Sequence, residues 1–163
     1  MAEGKRFGAP VGDWAVPLRP EPVVLQGQVV RLEPMAADAH AADLFRAYLG
    51  HDALWDYLPY GPFSSASGYH RFCKDTASGS DPAFYVLRDL DTGLCGGVAS
   101  YLRITPEAGS IEVGHICIAP EMAQSRAFTE AMFLMMQWAF AAGYRRYEWK
   151  CDACNMPSRR AAQ

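Results

Sequence analysis

The sequence predicts a single α/β domain, and three observations carry that prediction. Between Ile111 and Ala142 a β-branched strand hands over, through a short turn, to a long apolar helix. The periodic segments run in the order strand, two helices, three strands, helix, strand and helix start. The chain has 163 residues, half of them hydrophobic, which suffices for one sizeable core and not for two ordinary domains.

Taken in order, residues 1–25 hold several Pro and Gly without periodicity, including Pro17-Leu18-Arg19-Pro20-Glu21-Pro22. That composition predicts an extended arm before a domain at 26–163, with Trp14 as its anchor on the domain or on a partner. Gln28–Pro34 alternates as a first strand. Asp38 is expected to start a helix ending at Gly50, with Leu44, Phe45, Tyr48 and Leu49 as its core stripe. An aromatic, proline-containing loop runs from His51 to Phe63, and Ser64–Ser78 reads as a second helix with Tyr69 and Phe72 inward. Ala83–Arg88 and Leu94–Ile104 form a hairpin about Asp91-Thr92-Gly93, with Gly96-Gly97 marking a bulge. The strand Ile111–Ile118 is bounded by Gly109-Ser110 and Pro120. From Ala127 to Ala142 only Thr129, Glu130 and Gln137 are polar, so this helix is expected to be buried against a sheet. Gly143 ends it. Tyr144–Asn155 reads as a further strand, and Met156–Gln163 as the start of a last helix.

Charge and composition exclude several functions. A net charge of −3 gives no broad basic surface for nucleic acid. No apolar run is long enough to span a bilayer, and the opening MAEGKRFGAPVGDW lacks the apolar core of a signal peptide, so a cytoplasmic protein is the simplest expectation. Five scattered cysteines, Cys73, Cys95, Cys117, Cys151 and Cys154, do not form a disulfide framework and fit a reducing compartment. Cys151-x-x-Cys154, without a second pair or a nearby His, does not make a zinc site, and no metal is expected.

The helix that follows the strand leaves its first amides without intrahelical partners, aimed beyond the strand's end, which is a ready phosphate site. At that turn Gln124-Ser125-Arg126-Ala127-Phe128-Thr129 resembles the Gln/Arg-x-x-Gly-x-Gly/Ala turn of the GNAT superfamily of N-acyltransferases, with Ala127 and Thr129 where the glycines stand. Further on, Asn155, Ser158 and Arg159 match the Asn-x-x-Ser/Ala-Arg helix start of that superfamily. The match is most similar to the ribosomal-protein N-terminal acetyltransferase branch and covers roughly residues 28–163. The resemblance implies a mixed central sheet flanked by helices and acetyl-CoA as co-substrate. It also implies a diphosphate held at Gln124–Thr129, oxyanion contacts from the backbone of Ile116, Cys117 and Ile118, and a pantetheine arm along Asn155 and Arg159. Two further strands are implied beyond the last helix. The chain is therefore expected to be C-terminally truncated, and the unpaired sheet edge invites association into a homodimer.

Acyl transfer needs a base for the amine and an acid for the departing thiolate. Glu112, a carboxylate on an otherwise apolar strand, is the candidate base, with an ion pair to Arg103 as the equal alternative. Ser158 is the candidate acid by resemblance, with a plain helix N-cap as its alternative. Trp55, Tyr57 and Tyr60 are candidates to hold the acceptor or, more simply, to plug the core edge. His115 joins them as an acceptor-side residue, a second base through a water or a structural histidine. Glu130, in the first turn of the long helix, is expected to be structural. The expected function is acetyl transfer from acetyl-CoA to a primary amine, a small molecule or a protein N-terminus. A non-catalytic acyl-CoA-binding domain and an interaction module using the Trp14 arm are the alternatives.

Overall fold

A computed structural model of the chain describes residues 8–163, so the first seven residues of the expected arm lie outside the described residues. In chain order the elements are β1 (Leu25–Gln26), β2 (Val30–Pro34), α1 (Ala37–Tyr48), α2 (Ala66–Ala77), β3 (Ala83–Asp89), β4 (Cys95–Thr105), β5 (Ser110–Ile118), α3 (Arg126–Ala141), β6 (Arg146–Trp149) and α4 (Met156–Ala161). Short 3₁₀ turns occupy Asp52–Trp55 and Pro106–Ala108. The six strands form one sheet in sequence order. It is antiparallel from β1 to β5, and β5 pairs β6 in parallel. A parallel neighbour requires a crossover, and α3 supplies it.

The alternation of β3 divides the core in two. Tyr85 and Leu87 face α3, whose Ala127, Ala131, Met135 and Ala139 form the buried stripe. Phe84 and Val86 face the other way, toward Leu44 and Tyr48 of α1 and Tyr69 and Cys73 of α2. Helices therefore cover both faces of a mixed sheet. The Gly96-Gly97 bulge appears where Leu87 pairs Gly97 while Arg88 pairs Cys95.

Four expectations need correction. First, Asp38 does not cap α1: the cap residue is Ala36, which makes no side-chain cap bond, and the Asp38 carboxylate accepts from His70 Nε2 at 2.8 Å. Second, the core stripe of α1 loses Leu49, which is 66% exposed because the helix ends at Tyr48, and gains the buried His40. Third, α3 is not buried all round. The sheet covers only its alanine-rich stripe, leaving Phe133, Met136 and Phe140 exposed. Fourth, β6 stops at Trp149, six residues before the expected end at Asn155, because the chain there turns into an Asx-type bend in which Asp152 Oδ1 accepts from Cys154 N at 2.7 Å.

Two long-range contacts fasten the N-terminal arm and the β1–β2 turn to α3 and its C-terminal end. Trp14 Nε1 donates to Gly143 O at 3.0 Å, and the Arg145 guanidinium lies over its ring. Glu130 accepts from the amides of Gln28, Val29 and Val30 at 2.9, 2.8 and 3.1 Å, fixing the β1–β2 turn to α3. Only glycine fits at position 27, since a Cβ there would sit 2.5 Å from Glu130 Oε2. Glu130 is thus a structural residue, but for another segment's amides, not for those of its own helix.

Candidate active site

The site begins where two strands part. The β5–β6 pairing ends at Val113 opposite Trp149, yet β5 continues to Ile118 while the other chain bends away. The fork opens a cleft of about 310 Å³ between Gly114, His115 and Ile116 on one wall and Lys150–Asp152, Asn155 and Ser158 on the other. Phe128 closes it from α3, and Leu54, Tyr57 and Leu58 from the loop after α1. Its size and mixed lining suit a small-molecule site.

At the N-terminus of α3, Ser125 is the cap: its Oγ accepts from Phe128 N at 3.1 Å and its carbonyl from Thr129 N at 3.2 Å. Ser125 N itself donates to Met122 O. Among the described residues, the amides of Gln124, Arg126 and Ala127 have no acceptor. Gln124 takes a left-handed φ of 57°, which turns the chain into the helix. Ala127 stands where the resembled turn has glycine, but the residue is buried in the core with α3's other alanines, so its methyl group is absorbed by packing against the sheet. Thr129 Oγ1 folds back on Ser125 O at 3.2 Å. The corner therefore keeps three unbonded donors at a helix start, which fits a phosphate.

Two bulges shape the floor of the fork. Leu102 pairs Glu112 and Thr105 pairs Ser110, so Arg103 and Ile104 together oppose Ile111; Arg103 takes φ 46°, and Asp81 accepts from the amides of Arg103 and Ile104 at 2.9 Å each. Val98 pairs Cys117 and Ser100 pairs Gly114, so His115 and Ile116 together oppose Ala99, with His115 at φ 50°. Left-handed non-glycine residues store strain of order 1 kcal/mol each and tend to gather at functional sites. Of the non-glycine residues with left-handed backbone, His115 lines this cleft and Gln124 turns its corner, while Asp13 and Arg103 lie outside the lining.

Between the bulges lies Glu112, only 4% exposed. Its Oε1 accepts from Arg103 Nη1 at 2.6 Å, and its Oε2 from Lys150 Nζ, which also reaches Glu148 Oε2 at 2.7 Å. The bond from Lys150 holds Glu148 below the usual carboxylate range. Each oxygen of Glu112 thus meets a cation, which favours the ion-pair reading. His115 stacks on Tyr60 and Phe84, and its Nδ1 lies 2.7 Å from Ser100 Oγ. Burial lowers its pKa, Arg103's charge adds to this, and Glu112 opposes it.

On the opposite wall Asn155 caps α4, its Oδ1 accepting from Ser158 N at 3.1 Å. The cap is therefore Asn155, not Ser158. Ser158 Oγ instead accepts from Trp149 Nε1 at 2.9 Å, across the fork's hinge. Arg159 is exposed and donates to Ala153 O at 3.1 Å.

Of the residues singled out in the sequence, Tyr57, His115, Ile116, Phe128, Asn155 and Ser158 meet in the cleft. Gln124, Ser125, Arg126 and Thr129 stand at the adjacent corner, and Ile118 lies between. Cys117 is buried and faces α1; its carbonyl accepts from Tyr48 OH at 2.9 Å, and burial pushes its thiol up to about 12. Trp55 is also core, packed edge-on to Tyr48 and Phe63, and does not line the cleft. Tyr60 touches the site only through the His115 ring. Sequence reasoning missed Trp149, Lys150 and Ser100. Lys150 follows Glu148 at strand spacing from a buried-strand glutamate's neighbour, a faint signal; the other two carried none.

The sequence matches the Acetyltransferase (GNAT) domain over residues 30–163. No curated protein matches the chain. Among solved structures, a GCN5-related N-acetyltransferase from Brucella melitensis is 35% identical with a TM-score of 0.90, covering 93% of this chain and 70% of that chain. A probable acetyltransferase of the GNAT family from Chromobacterium violaceum ATCC 12472 is 34% identical with a TM-score of 0.89, covering 99% of this chain and 82% of that one. RimL, a ribosomal alpha-N-protein acetyltransferase, is 16% identical with a TM-score of 0.72 over 86% of this chain and 77% of that chain, a likeness of fold alone. The forked sheet, the open amides at the helix corner and these matches agree: the chain belongs to the GNAT family of acetyltransferases, whose chemistry is acyl transfer from acetyl-CoA.

Proposed function

We propose that the chain transfers an acetyl group from acetyl-CoA to a primary amine in the β5–β6 fork. The observation that supports this most is the placement, within one cleft, of the Ser158 hydroxyl, which accepts from Trp149, opposite the His115 imidazole, whose pKa burial lowers. Acetyl-CoA would supply the activated acyl group; its diphosphate would be held by the amides of Gln124, Arg126 and Ala127, and its arm would pass Phe128 and Asn155. Ser158 accepts from Trp149 through one lone pair and keeps its own proton to give, which suits it to protonate a leaving thiolate. Glu112, ion-paired with Arg103 and Lys150, is assigned no proton transfer. The acceptor is a primary amine of a small molecule or a protein N-terminus; the apolar Leu54 and Leu58 beside Tyr57 and Asp152 favour a cationic amine carried on an apolar body.

Titration calorimetry with acetyl-CoA, followed by thiol release over a panel of small amines and peptide N-termini, tests the reading. Binding with amine-dependent thiol release is the expected result. No heat with acetyl-CoA would refute it, and binding without thiol release for any amine would support a non-catalytic acyl-CoA-binding domain.

A further inference from the structure

We infer that Ser100 sets the tautomer of His115 and so makes His115 Nε2 the atom that takes the proton of the incoming amine. This rests on the acetyl-transfer reading and extends it to a residue outside the cleft wall. Ser100 is fully buried on β4, opposite the β5 bulge. Its Oγ lies 3.3 Å from Gly114 O and 2.7 Å from His115 Nδ1.

A carbonyl oxygen can only accept, and a serine hydroxyl has one proton to give. The hydroxyl can donate to Nδ1, or it can donate to Gly114 O while Nδ1–H donates to Ser100 Oγ; only the second pattern makes both contacts hydrogen bonds, and it is the one assigned here. A neutral imidazole has one N–H, so Nε2 is left as the acceptor. The left-handed turn at His115 and the stacking on Tyr60 and Phe84 hold the ring in this orientation. The charged and titratable groups around it are Arg103 on β4, Glu112 on β5, Lys150 and Asp152 across the cleft, and Tyr60 on the loop after α1. Tyr60 stays protonated because burial drives its hydroxyl upward.

The step balances simply. An N–H bond of the acceptor ammonium breaks, an Nε2–H bond forms, and the neutral amine keeps the electron pair with which it attacks. The imidazolium keeps its Nδ1–H bond to Ser100 throughout and later releases the Nε2 proton to water. Ser100 is thus a positioning residue, while His115 touches the amine.

The test uses nitrogen-15 NMR of the histidine rings in the full chain, with kinetics of Ser100→Ala and Ser100→Thr, each checked for an unchanged melting curve. The wild-type His115 ring is expected to show a protonated Nδ1 and a bare Nε2 above its pKa. In Ser100→Ala the ring should populate the Nε2–H form, kcat/KM for the amine should fall about tenfold, and the acid limb should move to lower pH, since the imidazolium loses an acceptor. Retention of hydroxyl-dependent rates in Ser100→Thr would support the assignment. A wild-type enzyme that turns over normally with Nε2 protonated, or a Ser100→Ala enzyme with unchanged rate and pH profile, would overturn this inference alone. Failure of the wild type to acetylate any amine would instead remove the acetyl-transfer reading and the base role with it.

Discussion

A serine hydroxyl that accepts from an indole N–H keeps its own proton to give, and that is the case for Ser158. Trp149 Nε1 can only donate, so the bond runs from the indole to one lone pair of Ser158 Oγ and leaves the hydroxyl proton free to be given. Replacing Trp149 with Phe keeps the ring and removes the N–H; kcat should drop about fivefold, the equivalent of one oriented hydrogen bond, with little change in KM for acetyl-CoA. Ser158→Ala should cost more, about 10²-fold in kcat, the lower end for a general acid. Initial rates over a range of both substrates check both. A second residue-scale prediction concerns Glu33, whose carboxylate takes a two-pronged contact from Arg88 and further bonds from His40 and Arg31. The Arg88 guanidinium, working against burial and helped by His40 and Arg31, holds it at about 2 instead of the usual 4.5. A depressed carboxylate stabilises the fold fully above its unfolded pKa and loses that contribution as pH falls through the folded value. The loss should therefore appear between about pH 4.5 and 2, of order 3 kcal/mol, and be absent in Glu33→Gln on acid titration of urea midpoints. At this scale legibility was uneven. Asn155 and Ser158 were visible because one helix start brings them together, whereas Trp149 acts through the fold of α4 back onto β6, and Ser100 through a partner that only the strand register makes a neighbour.

Elements carry the positions of these residues, and here most was legible. The strand–turn–helix from Ile111 onward and the hairpin with its Gly96-Gly97 bulge follow from periodicity and turn chemistry, which are local properties. The early end of β6 was not, since its sequence remains strand-like past Trp149 and only the Asx bend at Asp152 stops it. Nor were the Arg103 and His115 bulges, where residues other than glycine take left-handed backbone. Glu130 shows how an element can be fastened from outside: its position in α3 suggested a role at its own helix start, yet it binds three amides of the β1–β2 turn. Glu130→Ala should therefore destabilise the fold by about 1–3 kcal/mol, and hydrogen exchange should quicken first at Gln28–Val30. If exchange quickened instead along α3, the side chain would be serving its own helix.

At the scale of the whole molecule, the two-faced sheet was predictable from composition and order, while the exposure of α3's outer face was not. A nearly all-apolar helix reads as enclosed, but burial depends on how many layers lie over it, and the described chain provides one. The same global view gives the fork its meaning. Past Val113 the strand β5 has, among the described residues, no neighbour on the β6 side, so its Gly114–Ile116 segment is approached from α3 through Phe128 and from the loop of Tyr57 and Leu58. Two reagents can thus occupy the same few peptide units from different sides, neither waiting for the other to depart. Double-reciprocal plots of initial velocity should accordingly intersect, and no acetylated form of the protein should accumulate when the amine is withheld; parallel lines would mean that donor and acceptor take turns on a single shared doorway.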